Sequence, residues 1–162
     1  MKKNASATKL ASLLGLLRAM HWSHWTTHWS VQGTAFYADH ELFSRMYEQL
    51  PSEIDGLAEK IVATYGAAAV EPISQVSVLN AVLLRWTATP DLYARALQAE
   101  TDLQRALESA MSALRATSEL STGLENFLQG IADAHETHIY LLKQRMAPAT
   151  RLAARYLKTV KV

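Results

Sequence analysis

The sequence contains no cysteine, and this absence narrows the chemistry open to the protein. Without thiols the chain forms no disulfide, no thiolate-bound zinc site and no iron–sulfur cluster, and it has no cysteine nucleophile. Any metal must be held by His, Asp and Glu, a set of ligands that suits iron, manganese or zinc. Glycine and proline are also scarce, with six and four residues in 162. Long uninterrupted helices are therefore favoured.

The rest of the composition is that of an ordinary globular protein. Hydrophobic residues make up 49% of the chain and charged residues 19%, so residues 1–162 suit a single domain with a sizeable core. We expect no membrane span, because no stretch approaches the roughly 18–20 apolar residues that a span requires. The start, from Met1 to Leu17, is similar to a signal peptide in having lysines followed by leucines. Those leucines keep helical spacing into Met20 and Trp25, which predicts a retained helix and a cytoplasmic protein.

The net charge is only +1, but it is unevenly distributed. The segment from Lys143 to Val162 contains six basic residues and no acidic one. Two interpretations stay open for this region, whose tail is residues 147–162. It is a solvated segment that aids solubility, or it makes a weak, salt-sensitive contact with DNA that would associate the protein with the nucleoid.

Apolar residues recur at helical spacing in four segments, at about residues 5–31, 36–65, 90–117 and 120–146. Thr89 and Pro90 are placed to cap and start the third segment. Pro51 lies inside the second and should kink it or leave a carbonyl unbonded. The long stretch from 67 to 90 must cross the bundle and has room for one short helix. We therefore predict an all-α fold, an antiparallel four-helix bundle of ferritin-like connectivity with a long crossover between its second and third helices.

Histidines concentrate around the end of the first predicted helix. His21, His24 and His28 are spaced i, i+3 and i+7, so they share one stripe of the helix, and His40 follows just after the turn. A single histidine on such a face is usually a hydrogen-bonded core residue. Several together indicate metal binding, because neutral imidazole is a common ligand of borderline metals.

Two carboxylates lie further along the second helix. Asp55 and Glu59 are spaced i and i+4, and their alternative role is a solvated acidic face. His40 and Asp55 are 15 residues apart, about 22 Å along a helix, so one chain cannot bring both to the same ion. A twofold axis beside the second helix can, because it places an antiparallel copy alongside. The spacing predicts a site in which His28 and His40 of one subunit face Asp55 and Glu59 of another.

No histidine in the sequence has a glutamate three positions before it. The metal centre inside ferritin-like bundles uses Glu-x-x-His on two helices, so this absence argues against an ordinary ferritin centre. Two further histidines, His135 and His138, lie with Glu136 on the fourth helix. We interpret them as structural residues or as a weak secondary metal site.

The segment from His28 to Lys60, HWSVQGTAFYADHELFSRMYEQLPSEIDGLAEK, resembles the signature of the Dps family of mini-ferritins. That signature is His-Trp-x-Val-x-Gly-x-x-Phe-x-x-x-His, followed after a fixed gap by Asp-x-x-Ala-Glu. The similarity continues at Gly66, at the start of the third helix and near the end of the fourth. It covers most of the chain apart from the two termini.

The resemblance implies a hollow shell of twelve subunits that oxidises Fe(II), preferentially with hydrogen peroxide, at sites on the subunit twofold axes. The ferric product is stored inside, which protects against oxidative damage. Iron is the implied metal, for which zinc or manganese can substitute. By position, the implied ferroxidase ligands are His28, His40, Asp55 and Glu59, in agreement with the argument from spacing. Acidic residues line the iron entry pore of the family, and the candidates here are Glu119, Glu125 and Asp133.

One position departs from the family pattern. An acidic residue usually follows the second histidine by four positions, but here Ser44 and then Arg45 occupy this place. A hydroxyl is a poor iron ligand. Either the site binds metal weakly and oxidises it slowly, or His24, one turn from His28, supplies a replacement ligand. Pro51 is a further feature of this segment, and we expect it to shift the helical register between His40 and Asp55.

Three tryptophans, Trp22, Trp25 and Trp29, follow the three histidines at helical spacing. They are packing residues, or Trp29 intercepts oxidising equivalents left by peroxide chemistry, as the resemblance implies. Two other functions also stay open. One is a shell that binds and condenses DNA through its basic termini. The other is a metal-free assembly that has kept the fold and lost the site.

Overall fold

The computed structural model describes residues 2–148, with side chains from residue 5 onward, and every element within that range is helical. The elements are α1 (Lys2–Ser30), α2 (Phe36–Tyr65), a 3-10 turn (Ala67–Val70), α3 (Pro72–Thr87), α4 (Leu92–Ala116) and α5 (Thr122–Met146). The prediction of an all-α fold is therefore confirmed. Most of the predicted basic tail, 147–162, lies outside the described residues. The predicted DNA contact falls on this tail and therefore lies outside them too.

Two helical hairpins make the bundle. α1 pairs with α2, α4 pairs with α5, and α1 also packs on α4, so the hairpins share one core. The leucines of α1 are buried there. The main core residues are Leu10, Leu13, Leu14, Leu17, Met20, Leu50, Leu57, Ile61, Leu103, Leu107 and Leu128. Their spacing of three and four residues along each helix turns one apolar face inward and leaves the other face to polar side chains.

α2 continues through Pro51 without a break. Proline lacks a backbone N–H, so one hydrogen bond of the helix is lost, at a cost of about 3 kcal/mol in a helix interior. The helical register between His40 and Asp55 is nevertheless kept. Pro51 therefore does not displace the histidine half of the predicted site relative to the carboxylate half.

The crossover between the hairpins is more helical than the sequence predicts. Instead of one short helix it contains the 3-10 turn and α3, a helix of 16 residues. Glu71 caps α3 by accepting hydrogen bonds from two backbone N–H groups of its first turn. The predicted cap of the next helix is wrong: Asp91, not Thr89, caps α4 and accepts from the N–H of Ala94. A carboxylate suits this position because it also complements the positive end of the helix dipole.

α3 leaves an apolar face open to solvent. Ile73 and Leu84 are 74% and 67% exposed, whereas Trp86 is fully buried against the core. The segment Ala67–Thr87 has 21 residues, and a stretch of 18 residues within it has a mean hydropathy of 1.5, so by length and composition alone it could cross a membrane, contrary to the expectation from the sequence. Glu71 interrupts that segment. The continuous helix of 16 residues is about 24 Å long, short of the ~30 Å hydrocarbon core of a bilayer.

Candidate metal sites

His28 and His40 form a close pair at the turn between α1 and α2. Their rings stack with centroids 3.6 Å apart. Nδ1 of His28 lies 3.0 Å from the backbone carbonyl oxygen of His40, and Nδ1 of His40 lies 3.1 Å from that of His28. The turn between them contains Gly33, whose φ of +94° is a conformation that glycine adopts without strain.

These hydrogen bonds determine which nitrogen of each ring is available to a metal. A carbonyl oxygen only accepts, so Nδ1 of each imidazole must carry the proton. In the neutral ring Nε2 then has a free lone pair, which is the form that binds a metal. Both side chains are partly exposed. The pair therefore presents two ligating nitrogens near the surface of the subunit.

Asp55 and Glu59 are exposed on the later half of α2. Because α2 is one continuous helix, they lie about 22 and 28 Å beyond His40 along its axis. One subunit therefore does not bring the four predicted ligands together, as expected from their spacing. A shared ion requires a second copy of the chain.

Ser44 and His24, on which the strength of this site depends, both have partners elsewhere. The hydroxyl of Ser44 donates a hydrogen bond of 2.9 Å to Glu48. His24 is fully buried, and its Nε2 lies 3.1 Å from Oε1 of Glu100 on α4. The ring of His24 lies on the face of α1 that packs into the bundle, and its role as a ligand beside His28 stays a prediction.

A second group of metal-ligating side chains lies inside the bundle, where the four long helices meet. Glu100 is completely buried at its centre. Its Oε1 is 3.1 Å from Nε2 of His24 and 3.5 Å from Nδ1 of His138, and its Oε2 is 2.5 Å from Nδ1 of His135. Nε2 of His135 lies 2.9 Å from Oε2 of Glu53 on α2. These five residues form the interior cluster.

Charge in the interior cluster is concentrated on Glu100 and His135. Burial alone raises the pKa of Glu100, but the surrounding imidazoles outweigh burial and hold that pKa well below its usual range. Burial alone lowers the pKa of His135, but its bonds to Glu100 and Glu53 outweigh burial and raise that pKa to about 9. His135 is therefore a cation at neutral pH, held between two carboxyl groups. A metal cation can occupy the same kind of position.

Sequence reasoning did not single out Glu53 or Glu100. A signal for Glu100 was present, since it stands on the apolar face of α4, three residues from both Leu97 and Leu103. A charge on such a face needs a buried partner. Glu136, which the sequence grouped with the histidines of α5, is exposed and does not join the interior cluster.

The tryptophans of α1 make an exposed aromatic surface next to the histidine pair. Trp22, Trp25 and Trp29 are 59%, 40% and 62% exposed, so they are not core residues of this subunit. The ring of Trp25 lies 5.0 Å from that of Trp29 and 5.7 Å from that of Tyr47, which in turn is 5.1 Å from His28. The interception of oxidising equivalents by Trp29 stays a prediction.

The three candidates for an iron entry pore have different surroundings. Glu125 forms an ion pair of 2.5 Å with Arg115. Glu119 accepts a hydrogen bond of 3.3 Å from Tyr65, and Asp133 is exposed. Their role in a pore stays a prediction.

The sequence matches a known family whose fold is a helical bundle of this kind. A family model of the ferritin-like domain matches residues 8–150, which is most of the chain. The protein belongs to the ferritin-like domain family, whose bundles carry metal ligands on facing helices.

Within this family its fold is that of Dps proteins, which confirms the resemblance at the level of the fold. The structure matches Dps from Thermosynechococcus elongatus with a TM-score of 0.76 and 18% identity, over 91% of this chain and 94% of that chain. A Dps protein of Vibrio cholerae O1, described as a member of a broad superfamily of ferritin-like diiron-carboxylate proteins, matches with a TM-score of 0.73 and 18% identity, over 90% and 91% of the two chains. Dps of Mycobacterium smegmatis matches with a TM-score of 0.73 and 16% identity, over 92% and 90%.

Two curated proteins of greater length are also similar in sequence to part of this chain. The chain is 27% identical over 119 residues to an uncharacterized low temperature-induced protein of Nostoc sp. and to its homolog in Anabaena variabilis. The match covers 72% of this chain, and the chain spans 65% of the length of those relatives.

Proposed function

We propose that the protein is a Dps-like mini-ferritin that oxidises Fe(II) with hydrogen peroxide and stores the ferric product inside a shell of twelve subunits. Iron binds between twofold-related subunits, to His28 and His40 of one and to Asp55 and Glu59 of the other. The same resemblance leads us to expect this activity in the cytoplasm.

The state of the histidine pair is the observation that carries the proposal. Both Nδ1 atoms are bonded to the backbone, so both rings are held in the tautomer whose Nε2 binds metal. A pair ordered in advance loses little entropy on binding. Two imidazoles alone are an incomplete iron site, however, since iron centres of this kind also use carboxylates.

A second copy of the chain supplies those carboxylates. Under twofold symmetry an antiparallel α2 places its Asp55 and Glu59 opposite His40, because the offset of about 22 Å is the same in both copies. The exposed apolar face of α3, around Ile73 and Leu84, supports such a contact. α3 packs against α1, one of the two helices that carry the ligands.

The proposed chemistry is a two-electron reduction of peroxide. Two Fe(II) ions each give one electron to one hydrogen peroxide, the O–O bond breaks, and two protons complete two water molecules beside two Fe(III) ions. The carboxylates of Asp55 and Glu59 stabilise the ferric product, whose charge is higher. Ser44 adds no charge, so we expect slower oxidation than in a site with a carboxylate there.

Oxidation of Fe(II) by peroxide, followed by the absorbance of the ferric product, tests the proposal together with native mass spectrometry of the assembly. We expect a dodecamer, and an initial rate lower by about tenfold or more in the double variant Asp55→Asn/Glu59→Gln. The matched control is Glu108→Gln/Glu136→Gln, which neutralises two exposed carboxylates on α4 and α5. A monomeric wild-type protein, or a double variant as fast as this control, would refute the proposal.

A further inference from the structure

We propose that each subunit also binds one divalent transition-metal ion inside its own bundle, through Glu100, His135 and His138 of the interior cluster. This site is separate from the one proposed between subunits. Its ligands come from α4 and α5, they are buried, and they need no second copy of the chain.

The geometry of the three residues fits one ion. One ligating atom from each lies within 4.8 Å of the other two. Nδ1 of His138 is 3.5 Å from Oε1 of Glu100, which is long for a hydrogen bond. It is close, however, to the separation of about 3.3 Å between two ligands of a tetrahedral ion with bonds of about 2.0–2.1 Å. Two imidazoles and one carboxylate form a ligand set that binds Zn(II), or Fe(II) with open positions.

A nitrogen without a partner also points to a missing ligand. Nδ1 of His138 is buried and has no hydrogen-bond partner among the described residues. Buried polar atoms are rarely left in this state, because each has lost its bonds to water without a replacement. A cation bound between His138 and Glu100 satisfies this nitrogen and adds positive charge beside a carboxylate that is completely buried.

Residues around the three ligands hold them as the surroundings of a metal site usually do. Nε2 of His135 is 2.9 Å from Glu53, and Glu53 also accepts a hydrogen bond from the side chain of Gln49. Metal-binding histidines commonly donate their second ring N–H to a carboxylate in this way, which orients the ring. His24 holds Glu100 from the other side. An ion bound at Nδ1 of His135 takes the place of the proton that this atom now shares with Glu100.

The interior cluster is not the dinuclear centre found inside other ferritin-like bundles. That centre uses a glutamate from each of two helices and Glu-x-x-His from each of the other two. Here Gly56 stands three residues after Glu53, and His135, not a glutamate, stands three residues before His138. The carboxylates of the interior cluster are Glu53 and Glu100 alone, which balance the charge of one divalent ion but not of two.

Titration with Co(II) tests the proposal, because Co(II) replaces zinc and iron at such sites and absorbs visible light when bound. The background is the full-length variant Asp55→Asn/Glu59→Gln, in which the site proposed between subunits lacks its carboxylates. We expect this variant to bind one Co(II) per subunit and to unfold at a higher temperature with the metal than without it.

Adding His138→Gln to this background should abolish both effects. It should change the melting temperature of the metal-free protein little, since the lost nitrogen makes only a long contact of 3.5 Å with Glu100. His21→Gln, on α1 outside the interior cluster, is the matched control and should bind Co(II) as the background does. Glu53→Gln should weaken binding by about 10- to 100-fold without changing the stoichiometry.

The proposal is overturned if the background variant binds no Co(II), or if His138→Gln binds it as tightly as the His21→Gln control. Neither outcome depends on Fe(II) oxidation by the wild-type protein. Failure of the interior site therefore leaves the proposed ferroxidase function intact, and failure of the ferroxidase leaves the interior site intact.

Discussion

Arg145, at the end of α5, binds both carboxylate oxygens of Asp39 in the first turn of α2, at 2.6 Å from Nε to Oδ1 and 2.9 Å from Nη2 to Oδ2. Tyr93 of α4 donates a further hydrogen bond of 2.6 Å to the same carboxylate. Asp39 is almost fully buried, and the next residue along the chain is His40. The contact joins three helices at the end of the bundle that holds the histidine pair.

Replacing Arg145 by methionine should leave the carboxylate of Asp39 buried without its cation. Because the Arg145 side chain is 41% exposed, solvent screens part of the interaction. We expect the free energy of unfolding, measured by chemical denaturation, to fall by about 1–3 kcal/mol, less than for a fully buried pair. The control is Arg105→Met on the surface of α4, where the guanidinium is 3.4 Å from Asp102. It should change the value by less than about 0.5 kcal/mol, and equal losses in the two variants would contradict the prediction.

The same contact predicts a loss of stability in acid. The hydrogen bond from Arg145 outweighs burial and holds the pKa of Asp39 below its ordinary value. A carboxyl with a lower pKa in the folded than in the unfolded chain stabilises the fold above its unfolded pKa, and this contribution disappears as the pH falls through the folded pKa. We expect the free energy of unfolding to decrease as the pH falls below about 4. Asp39→Asn should flatten that part of the profile, and a variant with the wild-type slope would disprove the assignment.

α1 and α3 approach each other closely at Gly15. A Cβ at this position would lie 2.7 Å from Cβ and 2.8 Å from Cγ1 of Val78. Gly15→Ala should therefore push α3 outward and destabilise the fold by about 1–3 kcal/mol. Since α3 carries the proposed subunit contact, the variant should also dissociate more readily on dilution in size-exclusion chromatography.

Gly130→Ala is the matched control for Gly15→Ala. It lies within α5, and no neighbouring heavy atom of the described chain is within 4 Å of the added methyl group. Alanine should stabilise this helix by about 0.5–1 kcal/mol, because it has less backbone freedom to lose on folding. If thermal unfolding shows the two variants to be equally stable, the prediction that α1 and α3 pack too closely at Gly15 to admit a methyl group is contradicted.

Ser44→Asp tests whether the missing carboxylate limits iron oxidation. The new side chain lies one turn after His40, where its charge adds to that of the proposed site, so we expect the initial rate of Fe(II) oxidation to rise by about tenfold. Glu48 loses its hydrogen bond from Ser44 and gains a like charge one turn away. That repulsion should cost only about 0.2–0.5 kcal/mol. Ser112→Asp adds the same charge on the exposed face of α4 and should leave the rate unchanged. An equal rise in both variants would indicate a general effect of charge.

The helical spacing of apolar residues was sufficient to predict the fold class and, with the rise of a helix, the separation of His40 from Asp55. Both depend on the rise and turn of a single helix, which hardly vary from one protein to another. Helix ends were less predictable, as Asp91 and Thr89 illustrate. Neighbouring residues of similar capping ability compete, and the packing of the following helix decides between them.

Only the tertiary structure decided the interior cluster. His135 is hydrogen-bonded to both Glu100 and Glu53, although 35 and 82 residues separate it from these two partners. In the sequence Glu53 and Glu100 are each a single polar residue on an otherwise apolar helix face, and His135 shares its face only with His138. The local sequence of each helix does not determine that these faces meet, because the rotation of each helix about its axis is set by the packing of the whole core. His24 shows the same limit: its spacing groups it with His28, and the fold turns it towards Glu100.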